Sequence, residues 1–191
     1  MKASSSILLG SAALWITIPA WAGPPLVCQQ FDIGSAHSLP WKSGPDWHGA
    51  DPSYNLGNLS DETIALLTAG TPVKVRMETL RRAAIYSTKD ARVAGELTGR
   101  LLARALDSEA AGKPDALAWF DAGYFVETIR QATFVYRYNM LDPAERTLWQ
   151  LRGDRPRLDG YPWVQKAIRL GAAELDYPLS LMTEFRSADL K

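Results

Sequence analysis

The residues able to do chemistry are few and crowd toward one end of the chain. The stretch CQQFDIGSAHSLPW, Cys28 to Trp41, holds the only cysteine, one of two histidines, Asp32 and a tryptophan. Cys28 and His37 would pair as nucleophile and base if this stretch folded back on itself. Cys28, Asp32, His37 and His48 together offer thiolate, carboxylate and imidazole, the donor types of a zinc site. Their gaps of four, five and eleven residues do not show the paired spacing by which structural zinc sites close. The segment from Asp51 to Glu62 places oxygen donors at positions 1, 3, 5 and 12 of a calcium loop. Its sixth position is Leu56, where such a loop needs glycine. The expectation is therefore no metal and no cofactor, with Asp51, Ser53 and Asn55 shaping turns.

A thiol protease of the papain kind also carries its cysteine near the mature N-terminus. The surroundings here are Val27-Cys28-Gln29-Gln30, without the C-G-S-C-W type signature, and the second histidine, His48, lies close by rather than far downstream. Cys28 then reads as a packing residue and His37 as a loop residue near the surface. With a single cysteine, no disulfide can form within the chain.

A second constellation is Trp119-Phe120-Asp121-Ala122-Gly123-Tyr124-Phe125, followed by Glu127 and Arg130. Asp121 sits among bulky aromatics, and a glycine in a helix costs about 1 kcal/mol relative to alanine, so Gly123 points to a close helix or ligand contact. As a binding site, Trp119, Asp121, Tyr124 and Arg130 would form an aromatic pocket with polar handles. As plain architecture, they are core with charges at its rim. Arg76, Arg81 and Arg82 form a cationic ridge in sequence, but Glu78 beside them predicts a solvated face.

The elements that must position these residues follow from patterning. The first residues, MKASSSILLGSAALWITIPAWA, have Lys2, an apolar run from about Ile7 to Ala20 and Ala20-Trp21-Ala22, the form of a signal peptide (1–22) cleaved after Ala22. That predicts a periplasmic or secreted protein with no stable membrane insertion after cleavage. Lys+Arg and Asp+Glu both count 21, which gives no overall field toward nucleic acid. Residues 23–59 are rich in proline and glycine yet carry Phe31, Ile33, Leu39, Trp41, Trp47 and Tyr54. They predict an irregular arm packed on a body, since large apolar side chains gain stability only when covered.

From 60 to 191 the pattern is helical. Ser60-Asp61-Glu62 predicts a helix start and Gly70 its end. Thr71-Pro72 opens the next helix, with Val73, Met77, Leu80 and Ala84 as its apolar stripe and Lys74, Glu78 and Arg82 on another face. Asp90 caps a helix striped by Val93, Leu97, Leu101 and Ala105 and broadened by Leu102 and Leu106. The segment from Ala116 to about Tyr138 predicts a central helix touched on both sides. Thr133 to Tyr138 has strand-like composition but reads as that helix's end. Asp142-Pro143-Ala144-Glu145 predicts another start. Val164, Ala167, Ile168 and Leu175 stripe a further helix ended near Tyr177-Pro178, and Leu179, Met182 and Phe185 a last one. The fold expected is all-α: about seven helices in an array of antiparallel hairpins, α-solenoid-like, behind the irregular arm.

The patterns LLARALDSEAAGKPDALAWF and YPWVQKAIRLGAAEL resemble tetratricopeptide and Sel1-like helical repeats, although no unit carries the whole Trp, Leu-Gly, Tyr, Ala and Phe set. Asp32-Ile33-Gly34 with Ser38-Leu39-Pro40-Trp41, behind such a leader, is similar to exported bacterial proteins of no assigned activity. The resemblance implies a noncatalytic binding or scaffolding module for a protein or peptide partner. The competing expectation is an exported hydrolase using carboxylates or the single thiol.

Overall fold

The computed structural model describes residues 24–42, 47–138 and 158–188. The leader and the helix start expected at Asp142 lie outside the described residues. Among the described residues the protein is all-α, with seven helices and no strand. They are α1 (Pro25–Cys28), α2 (Leu59–Leu66), α3 (Val73–Ser87), α4 (Ala91–Ala110), α5 (Ala116–Tyr138), α6 (Tyr161–Arg169) and α7 (Asp176–Ala188). Short 3-10 turns at Leu56–Asn58 and Ala173–Leu175 lead into α2 and α7.

Local chemistry accounts for most boundaries. Asp90 caps α4, its carboxylate accepting from the amides of Arg92 and Val93. Asp115 does the same for α5, accepting from Leu117 and Ala118. The left-handed Gly112, φ 68°, turns the chain between them. Four boundaries differ from expectation, the first being the end of α2, which stops at Leu66 and not at Gly70. α2 begins at Leu59, one residue before Ser60, which is buried inside it. Pro72, not Thr71, is the N-cap of α3, and the Thr71 hydroxyl instead donates to the Leu66 carbonyl at the end of α2. Pro178 does not end α6 but sits in the first turn of α7, where its missing N–H would have had no helical partner. α6 stops at Arg169 instead, and Gly171, φ 108°, redirects the chain.

α5 is the hub. It packs most extensively against α6, α3 and α4, and also meets α1 and α7. Phe120, Tyr124 and Phe125 are fully buried, so a helix apolar on most of its circumference finds a neighbour on each side. The predicted α4 stripe, Val93, Leu97, Leu101 and Ala105, is buried, but Leu106 is 48% exposed and does not extend it. Gly123 marks the closest approach in the core. A methyl group there would stand 2.6 Å from the Gly160 carbonyl oxygen and 2.9 Å from Val164 Cγ2. The contact implied by that glycine is thus another stretch of backbone, at the start of α6.

Candidate functional site on the covered face of α3

Among the described residues of 24–58, the only regular helices are α1 and one 3-10 turn, yet Leu26, Val27, Phe31 and Leu39 are buried and Ile33 and Trp41 pack on the core. They are received by α3, α5 and α7, with α1 lying chiefly on α5 and α7; on α3 the sequence expectation fails. Glu78 and Arg81 are fully buried and Arg76 is 1% exposed, not a solvated ridge. α3 is covered on two sides: Met77, Leu80 and Ala84 face the core, while the row Glu78, Arg82, Tyr86, each four apart, faces the covering segment.

That row holds main chain. Glu78 Oε2 accepts from the Phe31 amide at 3.1 Å and from Arg81 Nε at 2.8 Å. Its Oε1 accepts from Arg81 Nη2 at 3.0 Å and Arg82 Nε at 2.7 Å. Arg81 Nη1 donates to the Val27 carbonyl at 3.0 Å and Arg82 Nη1 to the Leu39 carbonyl at 2.6 Å. The Tyr86 hydroxyl donates to the Pro40 carbonyl at 2.6 Å and accepts from the Asp51 amide. From α5, Gln131 Oε1 accepts from the Leu26 amide at 2.8 Å. Buried guanidinium and carboxylate groups are tolerable only when paired and hydrogen-bonded, and here backbone groups of residues 26–40 complete the set. Trp41 closes the cluster: the Arg81 and Arg82 guanidinium carbons lie 4.7 and 5.7 Å from its ring, and Tyr86 meets it edge-on.

The residues expected to form a pocket on α5 are not brought to one place. Trp119 meets Trp163, and Lys166 of α6 lies 3.8 Å from its ring centre. Asp121 points to α3 and α4, accepting from Arg76 Nη1 at 2.5 Å with Arg104 Nη1 at 3.9 Å. The same two arginines donate to the carbonyls of Leu67, Thr68 and Thr71, tying the corner after α2 to α5. Burial pushes the Asp121 carboxyl up to about 7, against the pull of Arg76 and then Arg104. Tyr124 lies toward Glu78 and Arg81, and its hydroxyl is raised well above the ordinary value, first by burial and then by the Glu78 charge. Arg130 pairs with Glu127, which also binds the Gly160 amide and Arg186 of α7.

The stretch that opened the chemistry is scattered as well. His37 is exposed and Cys28 half-buried beside Val27 and Ile85. Among the described residues no three His, Cys, Asp or Glu side chains cluster as a metal ion would require. In the calcium-like stretch, Asp51 accepts from the amide and hydroxyl of Ser53, Asn55 from the Gly57 amide, and Glu62 from the Tyr54 hydroxyl. These donors build turns. No protein-family model, curated protein or solved structure matches this chain.

Proposed function

We propose that this chain is an exported, noncatalytic helical binding or scaffolding module for a protein or peptide partner. Its helices pair as antiparallel hairpins of the tetratricopeptide or Sel1-like kind, gathered around α5; the short corner at 111–115, between α4 and α5 that pack extensively on each other, supports such pairing. One observation carries the binding reading. A row of side chains on α3 holds the amides and carbonyls of an extended segment while apolar side chains of that segment enter the core. Peptide-recognition surfaces hold their ligands in this way, with main-chain hydrogen bonds for affinity and pockets for specificity. Export is supported by the leader pattern, with the mature chain beginning at Gly23. In this reading Trp119, Asp121, Tyr124 and Arg130 are framework of α5.

The hydrolase alternative needs a carboxylate or thiol free to meet substrate. Glu78 has donors on both oxygens, and Asp121 is fully buried. The full chain, incubated with chromogenic ester, peptide and glycoside substrates, is expected to give no turnover above buffer. Turnover that disappears in Cys28→Ala, Glu78→Gln or Asp121→Asn would establish the hydrolase instead. Protein recovered from an exporting host is expected to begin Gly-Pro-Pro-Leu on N-terminal sequencing; a retained Met1 would refute cleavage.

A further inference from the structure

We infer that Asp121 is a proton-operated latch on the corner between α2 and α3: one proton releases Arg104, and with it the Leu67 carbonyl, while Arg76 stays bound. The inference goes beyond the binding-module reading and does not depend on it. The corner is held from inside. Arg76 donates to the carbonyls of Thr68 and Thr71, and Arg104 to that of Leu67. Among the described residues, Asp121 is the one carboxylate within 4 Å of either guanidinium. Thr68, Ala69 and Gly70 are exposed. The Thr71 hydroxyl adds bonds to Thr68 and Leu66, but these stay within the corner and α2 and do not reach the body.

The two arginines are attached differently. Arg76 Nη1 donates to Oδ2 at 2.5 Å, from a side chain 1% exposed. Arg104 Nη1 stands 3.9 Å from the same oxygen and makes no hydrogen bond, and its side chain is 34% exposed. Charge alone holds it. The other oxygen, Oδ1, is buried and without a partner, which makes it the place for a proton. With a proton on Oδ1, Oδ2 is a carbonyl oxygen that still accepts from Arg76, but the charge that held Arg104 is gone. Arg104 then turns to water, a course closed to the buried Arg76.

The charges that face the carboxyl come from Arg76 of α3, Arg104 of α4 and, from the start of α5 itself, Asp115. Burial raises the carboxyl to about 7 against the two arginines, so the proton exchanges near neutral pH. Losing Arg104 raises it further, because a nearby cation favours the charged form. The proton therefore favours the loosened corner over the fastened one. It is also held more tightly by the folded chain than by the unfolded chain, so acid loosens the corner while raising global stability. An ordinary loss of stability would move both in the same direction.

Hydrogen exchange of the full chain tests the latch, with each amide's rate compared with that of an unstructured peptide at the same pH. The amides of Thr68 and Thr71 are bonded within the corner and report on it. From about pH 8 to about pH 5.5 their protection is expected to fall at least about threefold, while that of Leu97 and Leu101 on α4 does not fall. Asp121→Asn keeps the shape of the carboxyl and is neutral at every pH, so its corner protection is expected to be low and independent of pH. Where that variant loses its helical circular dichroism, Arg104→Gln serves instead, with the same expectation because the charge-held partner is gone. Equal corner protection at the two pH values in the unmodified chain overturns the latch. So does a fall with acid that persists in either variant, as titration of the two histidines would produce.

Discussion

α3 and α4 are neighbours in sequence and look alike there: an apolar row recurs every three or four residues, and charged rows occupy the rest. Folded, they differ. α4 keeps most of its charges outside, with Glu96 exposed and Arg100 reaching Asp61 and Glu96 at the surface, and sends only the half-buried Arg104 inward toward Asp121. α3 buries Arg76, Glu78 and Arg81 completely or nearly so. The cause lies in neither helix. Residues 24–42 cover the Glu78 and Arg81 side of α3, and their backbone supplies hydrogen bonds that make buried charge tolerable there, while Arg76 is held by Asp121 of α5 and the carbonyls of Thr68 and Thr71. Periodicity shows which face of a helix seeks the core. It does not show which other face a remote segment will cover.

Breaking this contrast should produce its largest effect at Glu78. Glu78→Leu strands the Arg81 and Arg82 guanidiniums and the Phe31 amide, and is expected to cost about 3–5 kcal/mol in denaturant unfolding. The matched change on α4, Glu96→Leu, is expected to stay within about 0.5 kcal/mol. Equal losses would erase the distinction between the two helices. Trp41→Ala comes next, at about 2–3 kcal/mol, less than for a fully buried tryptophan because the ring is only partly covered, yet it stacks on both arginines. A thermally unchanged variant would mean that the segment is not fastened there.

The effect at Asp121 is a slope rather than a loss. Burial raises its carboxyl from the ordinary 3.8 to about 7, so the folded chain holds this proton more tightly than the unfolded chain. The stability linked to it is fully present below about pH 4 and is lost as pH rises through about 7. Across about pH 5 to about 8, the unmodified chain should therefore lose stability relative to Asp121→Asn, read as a difference in melting temperature that moves in that direction. A difference that moves the other way would show that Arg76 outweighs burial. The smallest effect belongs to His37→Ala, expected within about 0.5 kcal/mol because the ring is exposed.

What could be read in the sequence was what local physics determines. The Asp90 cap, the Val93 to Ala105 stripe and the many-sided burial of α5 each follow from a few adjacent residues. Thr133 to Tyr138 lies within α5 despite its β-branched content, because the seventeen preceding residues of helical pattern, from Ala116 on, outweigh a weak local preference. Gly123 was legible as a close contact, but its partner Gly160 lies in another element and could not be named. The covered face of α3 was the larger gap. Three arginines around one glutamate look the same whether water or backbone satisfies them. The available signal was indirect: Phe31, Leu39 and Trp41 stand in a turn-rich stretch and require a cover. The four α5 residues are spread for a related reason, since nearness in sequence on a central helix sends side chains toward different neighbours.

The central claim is that buried charges on α3 and Gln131 on α5 hold the backbone of residues 26–40, and native-state hydrogen exchange tests it most directly. The amides of Leu26 and Phe31 donate to Gln131 and Glu78. Neither belongs to a long helix that would protect it by itself, and backbone amides outside such contacts exchange by local fluctuation. The account predicts that both exchange with an opening free energy close to that of the α3 amides, and that Glu78→Gln selectively weakens protection at Phe31. Exchange of both amides at the rate of an unstructured peptide, with α3 still protected, would contradict it.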